Sequence, residues 1–273
     1  MNETRDTVRQ AVVLLSAIIA VVGAFIGSGA AGGIPIQDAA GGALAADATP
    51  IAPGGPAFAI WTPIYAGLLA YAVWQSAPNQ RSDDRQRRLG YPIAVSLILN
   101  AAWILSIQFG FLIASVPIIA ALLVVLVWAF SITLASRPKN LVETIIADGT
   151  VGLYLGWVCV ATAANITALL VASGFRGFGL GMDAWAVVIV AVAGFVGVIL
   201  AVRGRGRLAP AISLSWGLAW LAVARLTGDL LSMPAAIAAI TAAVVVIAVT
   251  VVLRIRSTRP RAASGRGPTV VAA

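Results

Sequence analysis

Apolar residues run along this chain in long blocks, separated by short stretches rich in arginine, glycine and proline. Eight blocks stand out, at residues 11–30, 57–75, 89–111, 116–135, 145–173, 184–202, 211–230 and 235–253. Each has roughly the 17–25 residues that a helix needs to cross about 30 Å of hydrocarbon, the fifth being the longest. The pattern predicts an all-α polytopic membrane protein with about eight transmembrane helices. Composition agrees. Of 273 residues, 60% are hydrophobic and only 10% charged, and the mean hydropathy is +0.99. No soluble domain of this length hides so much apolar surface.

The charges then sort by side. All 18 lysines and arginines except Arg176 and Arg225 precede the first block, follow the last, or lie between blocks two and three, four and five, or six and seven. Cytoplasmic loops of membrane proteins carry such an excess. The expected topology has both termini in the cytoplasm, with a bacterial cytoplasmic membrane as the expected location. The formal charge of +8 is therefore ascribed to topology and anionic lipid, with no nucleic acid as partner. One alternative touches the first block. Arg5, Arg9, an apolar run and the stretch Gly27-Ser28-Gly29-Ala30-Ala31 also fit a cleaved signal peptide. The length of that run favours a retained span. Residues 31–56 hold Asp38 and Asp47 but no basic residue, and are expected outside the cytoplasm and loosely ordered. Residues 257–273 are expected to form a basic disordered tail attracted to anionic headgroups.

Chemistry is bounded by what is missing. The chain has no histidine and one cysteine, Cys159, which leaves no intrachain disulfide and no Cys/His metal cluster. Nothing in the sequence forms a nucleophile–base pair or a metal site. Catalysis is not the favoured reading, and no cofactor is expected to be required.

Aromatic and polar residues within the blocks carry more information. Phe58, Trp61 and Tyr65 stand at i, i+3 and i+7, so they share one helix face. Asn100 and Trp103 are i, i+3 neighbours. Tyr154, Trp157, Ala161 and Asn165 follow at spacings of 3, 4 and 4. A carboxamide in hydrocarbon needs a partner and turns inward. Two readings stand for each stripe: interhelical packing, and one wall of a pocket for a flat apolar ligand. Three such stripes on three helices favour the pocket. Glu143 and Asp148 open the fifth span, where acids complement the helix dipole. Arg225 and Asp229, at i, i+4, are expected to pair and to snorkel to the interface. Pro63 and Pro117 are the candidates for kinks.

These stripes also resemble the TspO/translocator-protein family, the tryptophan-rich sensory proteins. A pattern like F-x-x-W-T-x-L-Y ending in V-W stands here as Phe58, Trp61-Thr62, Ile64-Tyr65 and Val73-Trp74. L-N-x-x-W stands as Leu99-Asn100 and Trp103. P-Y-x-x-W followed by F-A-x-x-L-N stands as Leu153-Tyr154, Trp157, Val160-Ala161 and Ala164-Asn165. The resemblance covers roughly residues 11–172. It implies a five-helix bundle over residues 1–172 that binds porphyrins or other flat hydrophobic ligands, in a sensory, regulatory or transport role. By that similarity Trp61, Tyr65, Asn100, Trp103, Trp157 and Ala161 line or support the pocket; Phe58, Tyr154 and Asn165 complete the candidate set. The chain departs from the family pattern in three places. Loop 31–56 has no aromatic residue where the family carries W-Y and K-P-x-W elements, Ile107-Gln108 replaces an aromatic pair, and Leu153 replaces a proline. Residues 173–256 add three spans whose expected roles stay open between a dimer surface, a lid and a fused regulatory module. A homodimer is thus left open, as is a small-molecule transporter with an unrelated substrate.

Overall fold

The computed structural model describes residues 2–258. Most of the tail expected at 257–273 lies outside the described residues. Eight helices among the described residues are long and apolar enough to cross a membrane. Their α-helical parts are α1 (Asn2–Gly27), α2 (Trp61–Trp74), α3 (Asp84–Gln108), α4 (Leu112–Ala135), α5 (Thr150–Ala172), α6 (Met182–Arg203), α7 (Leu208–Thr227) and α8 (Met233–Thr258), the second span running over Gly55–Trp74 and the fifth over Leu141–Ala172. A 3₁₀ turn, Gly55–Ile60, leads into α2. A π-turn, Thr144–Gly149, leads into α5.

The helices outrun the apolar blocks mainly at their charged ends. Helix α3 begins five residues before its block because Asp83 caps it, accepting hydrogen bonds from the Arg85 and Gln86 amides at 2.8 and 3.0 Å. Pro92 as well as Pro117 lies within a helix, whereas Pro63 sits in the first turn of α2, where a missing amide hydrogen costs nothing. The main irregularity within a span, the π-turn before α5, contains no proline.

Helices α1, α3, α4, α5 and α2 close a ring in that order, each packed on the next, with α2 returning to α1. Helix α7 packs on the outside of α5, α8 on α7, and α6 on α8. Small residues set these approaches. A Cβ placed on Gly23 would lie 2.8 Å from the Ala101 Cβ, so α1 and α3 meet almost backbone to backbone. On α5, Gly152 and Gly156 receive Pro210 and Ser213 of α7; a Cβ on Gly156 would lie 2.2 Å from the Pro210 carbonyl oxygen and from Ser213 Oγ. Helices without a hydrophobic drive between them associate through such close contact.

The arginine-rich connections gather on one face, where side chains bolt the helix ends together. Arg9, 1% exposed, donates through Nη2 to the carbonyls of Gln80 and Arg81 at 3.1 and 3.2 Å. Arg85 donates to Glu143 at 2.7 Å and pairs with Asp148. Arg207 reaches Asp148 at 3.1 Å and the Thr133 carbonyl at 2.7 Å. Glu143 and Asp148 are therefore members of a buried ion cluster spanning α3, α4, α5 and α7, and not simply dipole partners at a helix start. Two arginines face two carboxylates, so the cluster carries its charge in balance.

Candidate functional site

At the opposite face, the aromatic stripes converge inside the five-helix ring. Trp61 is the hinge of the group: its ring lies 5.7 Å from Tyr65, 5.7 Å from Tyr154 and 6.2 Å from Trp157. Phe58, carried by the 3₁₀ turn, meets Trp157 edge to face at 5.8 Å. Offset and edge-to-face contacts of this kind are the favoured geometries of aromatic pairs.

The polar members of the stripes bind across helices. Asn100 Nδ2 donates to the Tyr65 hydroxyl at 2.7 Å, joining α3 to α2. Trp103 Nε1 donates to Asn165 Oδ1 at 2.6 Å, and Asn165 Nδ2 donates to Ser115 Oγ at 2.8 Å, joining α3, α5 and α4. The Tyr154 hydroxyl donates to the Ser96 carbonyl at 3.2 Å.

Above this layer lies a cavity of about 30 Å³. Phe58, Trp103, Trp157, Ala161 and Ala164 form its helical wall. Loop 31–56 forms the rest, through Ala43, Leu44, Thr49, Ala52 and Pro53. Of the sequence candidates, Phe58, Trp103, Trp157 and Ala161 thus reach the cavity; Trp61, Tyr65 and Tyr154 stand behind it; Asn100 and Asn165 act as interhelical bridges. Two polar atoms on the cavity wall residues, Trp157 Nε1 and Thr49 Oγ1, are buried with no hydrogen-bond partner among the described residues. Such orphans are uncommon in folded proteins, and each calls for an explanation.

The loop differs from its expectation. It is not loose: Ala39, Thr49, Ile51 and Ala52 are buried, and helix α7 grips it. Arg225, 1% exposed, donates to the Thr49 carbonyl at 3.2 Å and to the Ala46 carbonyl. The Gly54 amide donates to the Trp220 carbonyl at 3.2 Å, and Trp216 Nε1 to the Ala57 carbonyl at 2.9 Å. The expected Arg225–Asp229 pair is therefore corrected. Helix α7 ends at Thr227, which removes the i, i+4 geometry, and Arg225 turns inward to the loop backbone. Gln108, one of the departures from the family pattern, anchors the loop's start. With its amide nitrogen facing the carbonyls of Gly27 and Ile34, it bonds each at 3.0 Å. The sequence reading missed Arg225, Gln108, Thr49, Trp216 and Trp220 as parts of this site. The available signal was a lone arginine in an apolar span, which deserves a functional reading before a snorkelling one.

No curated protein and no solved structure matches the chain. A family model does, and over more of the chain than the aromatic motifs occupy: its match runs through the three additional helices as well. With residues 12–253 matching the family described as TSPO-like protein, the chain belongs to that family.

Proposed function

We propose that this chain is a TspO-like binding protein, with both termini cytoplasmic, that takes a flat apolar ligand of the porphyrin kind between loop 31–56 and the rings of α2, α3 and α5. The orphaned Trp157 Nε1 on a largely apolar wall that also carries Phe58 and Trp103 supports this reading. A ring ligand offers it π-contact on Phe58 and Trp103, and an acceptor for the indole hydrogen.

The closed form is too small for such a ligand. Pockets for small molecules usually measure about 300–1,000 Å³, against about 30 Å³ here. Binding therefore requires the loop to lift, and the Arg225 contacts set the cost of lifting. The aromatic cap that the family pattern places in this loop is replaced by a small-residue plug tied to α7.

Titration of the full chain with protoporphyrin, followed by tryptophan fluorescence, tests the proposal. Saturable quenching that weakens in Trp157→Ala and in Ala161→Phe is expected. Quenching that never saturates, or that both variants leave unchanged, overturns it. Ligand flux in proteoliposomes separates binding from transport, since a binder equilibrates with its ligand and carries it no further.

A further inference from the structure

A larger cavity lies elsewhere, between α5 and α6, and measures about 940 Å³. It exists because α6 packs by its small face on α8. A Cβ on Gly194 would lie 2.9 Å from the Ala242 Cβ, and one on Gly197 would lie 2.6 Å from Val246 Cγ2. That engagement draws α6 to α8 and leaves a groove beside α5. Leu170 on one wall and Val188 and Val192 on the other are 40%, 49% and 57% exposed, so the groove opens sideways to hydrocarbon. Pro50 and Ile51 reach into its lining from loop 31–56.

Its rim is built from rings. Phe175 meets Phe178 at 5.1 Å and Trp185 at 5.8 Å, and Trp185 Nε1 donates to the Gly177 carbonyl at 2.9 Å. Gly177 and Phe178 both take positive φ, at 74° and 50°. For Phe178 that conformation is strained, and it leaves the ring 89% exposed at the membrane edge. One charge stands among the lining residues: Arg176. Among the described residues its guanidinium has no ion pair and no hydrogen-bond acceptor. Among the described residues it is also one of two basic residues, with Arg225, that lie outside the arginine-rich connections and ends.

We propose that this groove binds an anionic phospholipid of the leaflet opposite the arginine-rich face, one acyl chain lying between α5 and α6 and the phosphate against Arg176. The apolar walls and lateral opening suit a hydrocarbon chain. The unpaired guanidinium among aromatic side chains, with no acid lining the groove, selects a negative head over a neutral or zwitterionic one. The proposal does not depend on the ligand of the aromatic cavity.

The test uses the full chain in detergent, titrated with phosphatidylglycerol bearing brominated acyl chains while tryptophan emission is followed. Quenching is expected to saturate, and the saturating part is expected to vanish in Trp185→Phe. Arg176→Gln, and the same chains on phosphatidylcholine, should each weaken binding about tenfold, the scale of one hydrogen bond to a charged group. Leu170→Phe, which narrows the groove, adds no indole and leaves Arg176 in place, should weaken it for both lipids. Quenching that rises without saturation and equally for both lipids means ordinary solvation by lipid and overturns the site. Saturable binding that ignores Arg176→Gln overturns the anionic head, and binding that ignores Leu170→Phe overturns the groove.

Discussion

The indole nitrogen of Trp103 donates to Asn165 Oδ1 across α3 and α5 at 2.6 Å. Asn165 is fully buried and spends its amide nitrogen on Ser115. Three helices thus meet at one carboxamide. Replacing Asn165 with leucine keeps the branched shape but orphans Trp103 Nε1. The expected loss is about 1–3 kcal/mol of stability, read as a lower midpoint of thermal unfolding in detergent. Asn165→Gln should recover little, since its longer chain does not fit a fully buried site.

Arg225 governs the loop. Arg225→Gln should raise hydrogen exchange across residues 44–54 and leave the helix interiors protected. The same variant should bind a cavity ligand more tightly, because less has to be broken before the loop lifts. Unchanged exchange in the loop would show that Trp216 and Trp220 hold it without help.

Gly156→Leu should part α5 from α7. A Cβ there already meets the Pro210 carbonyl and Ser213, neither of which is the far end of a flexible chain. Overpacking of this kind costs about 1–3 kcal/mol, occasionally more. Limited proteolysis should then cut the connection between α5 and α6 faster than in the parent chain.

The buried ion cluster should respond asymmetrically. Asp148→Ala leaves Arg85 and Arg207 facing one carboxylate, and removing one partner of a buried pair costs about 3–5 kcal/mol. Changing Arg85 to Met together with Asp148→Leu should cost less than the sum of the single changes, a difference that a double-mutant cycle measures directly.

Acid should loosen the start of α3. Burial raises the Asp83 carboxyl, but the hydrogen bond from Lys139 and those from the Gln86 and Arg85 amides outweigh it and hold the group below its usual 3.8. A lowered carboxylate stabilises above its unfolded value and loses that contribution as pH falls through its folded value. Acid titration should therefore melt the first turn of α3 only below the ordinary carboxylate range, and Asp83→Asn should remove that dependence.

The eight spans were legible because hydrocarbon demands long apolar runs and because arginines mark the loops on one side. Trp61, Trp103 and Trp157 were legible because helical periodicity puts each on an inward stripe. Partners across helices were not, since periodicity names a face and not what it meets. Glu143 and Asp148 therefore read as dipole acids until Arg85 and Arg207 came beside them. The loop was misread for a related reason. Its alanines and glycines carry no pattern, and its order comes from Arg225, far away in the chain. The Gly152–Gly156 pair had a readable spacing, but only the seat of Pro210 gives it meaning.

That distance has a consequence for biosynthesis. The Arg225 guanidinium closes onto Ala46 and Thr49 across 179 and 176 positions of chain. The loop therefore leaves the ribosome long before its anchor does. While α1 to α5 are already inserted and α7 is still being made, the aromatic cavity stands without its clamp. The clamp on the loop can close only once α7 has been made, so the order of residues 44–54 is set late in synthesis although the loop itself is made early.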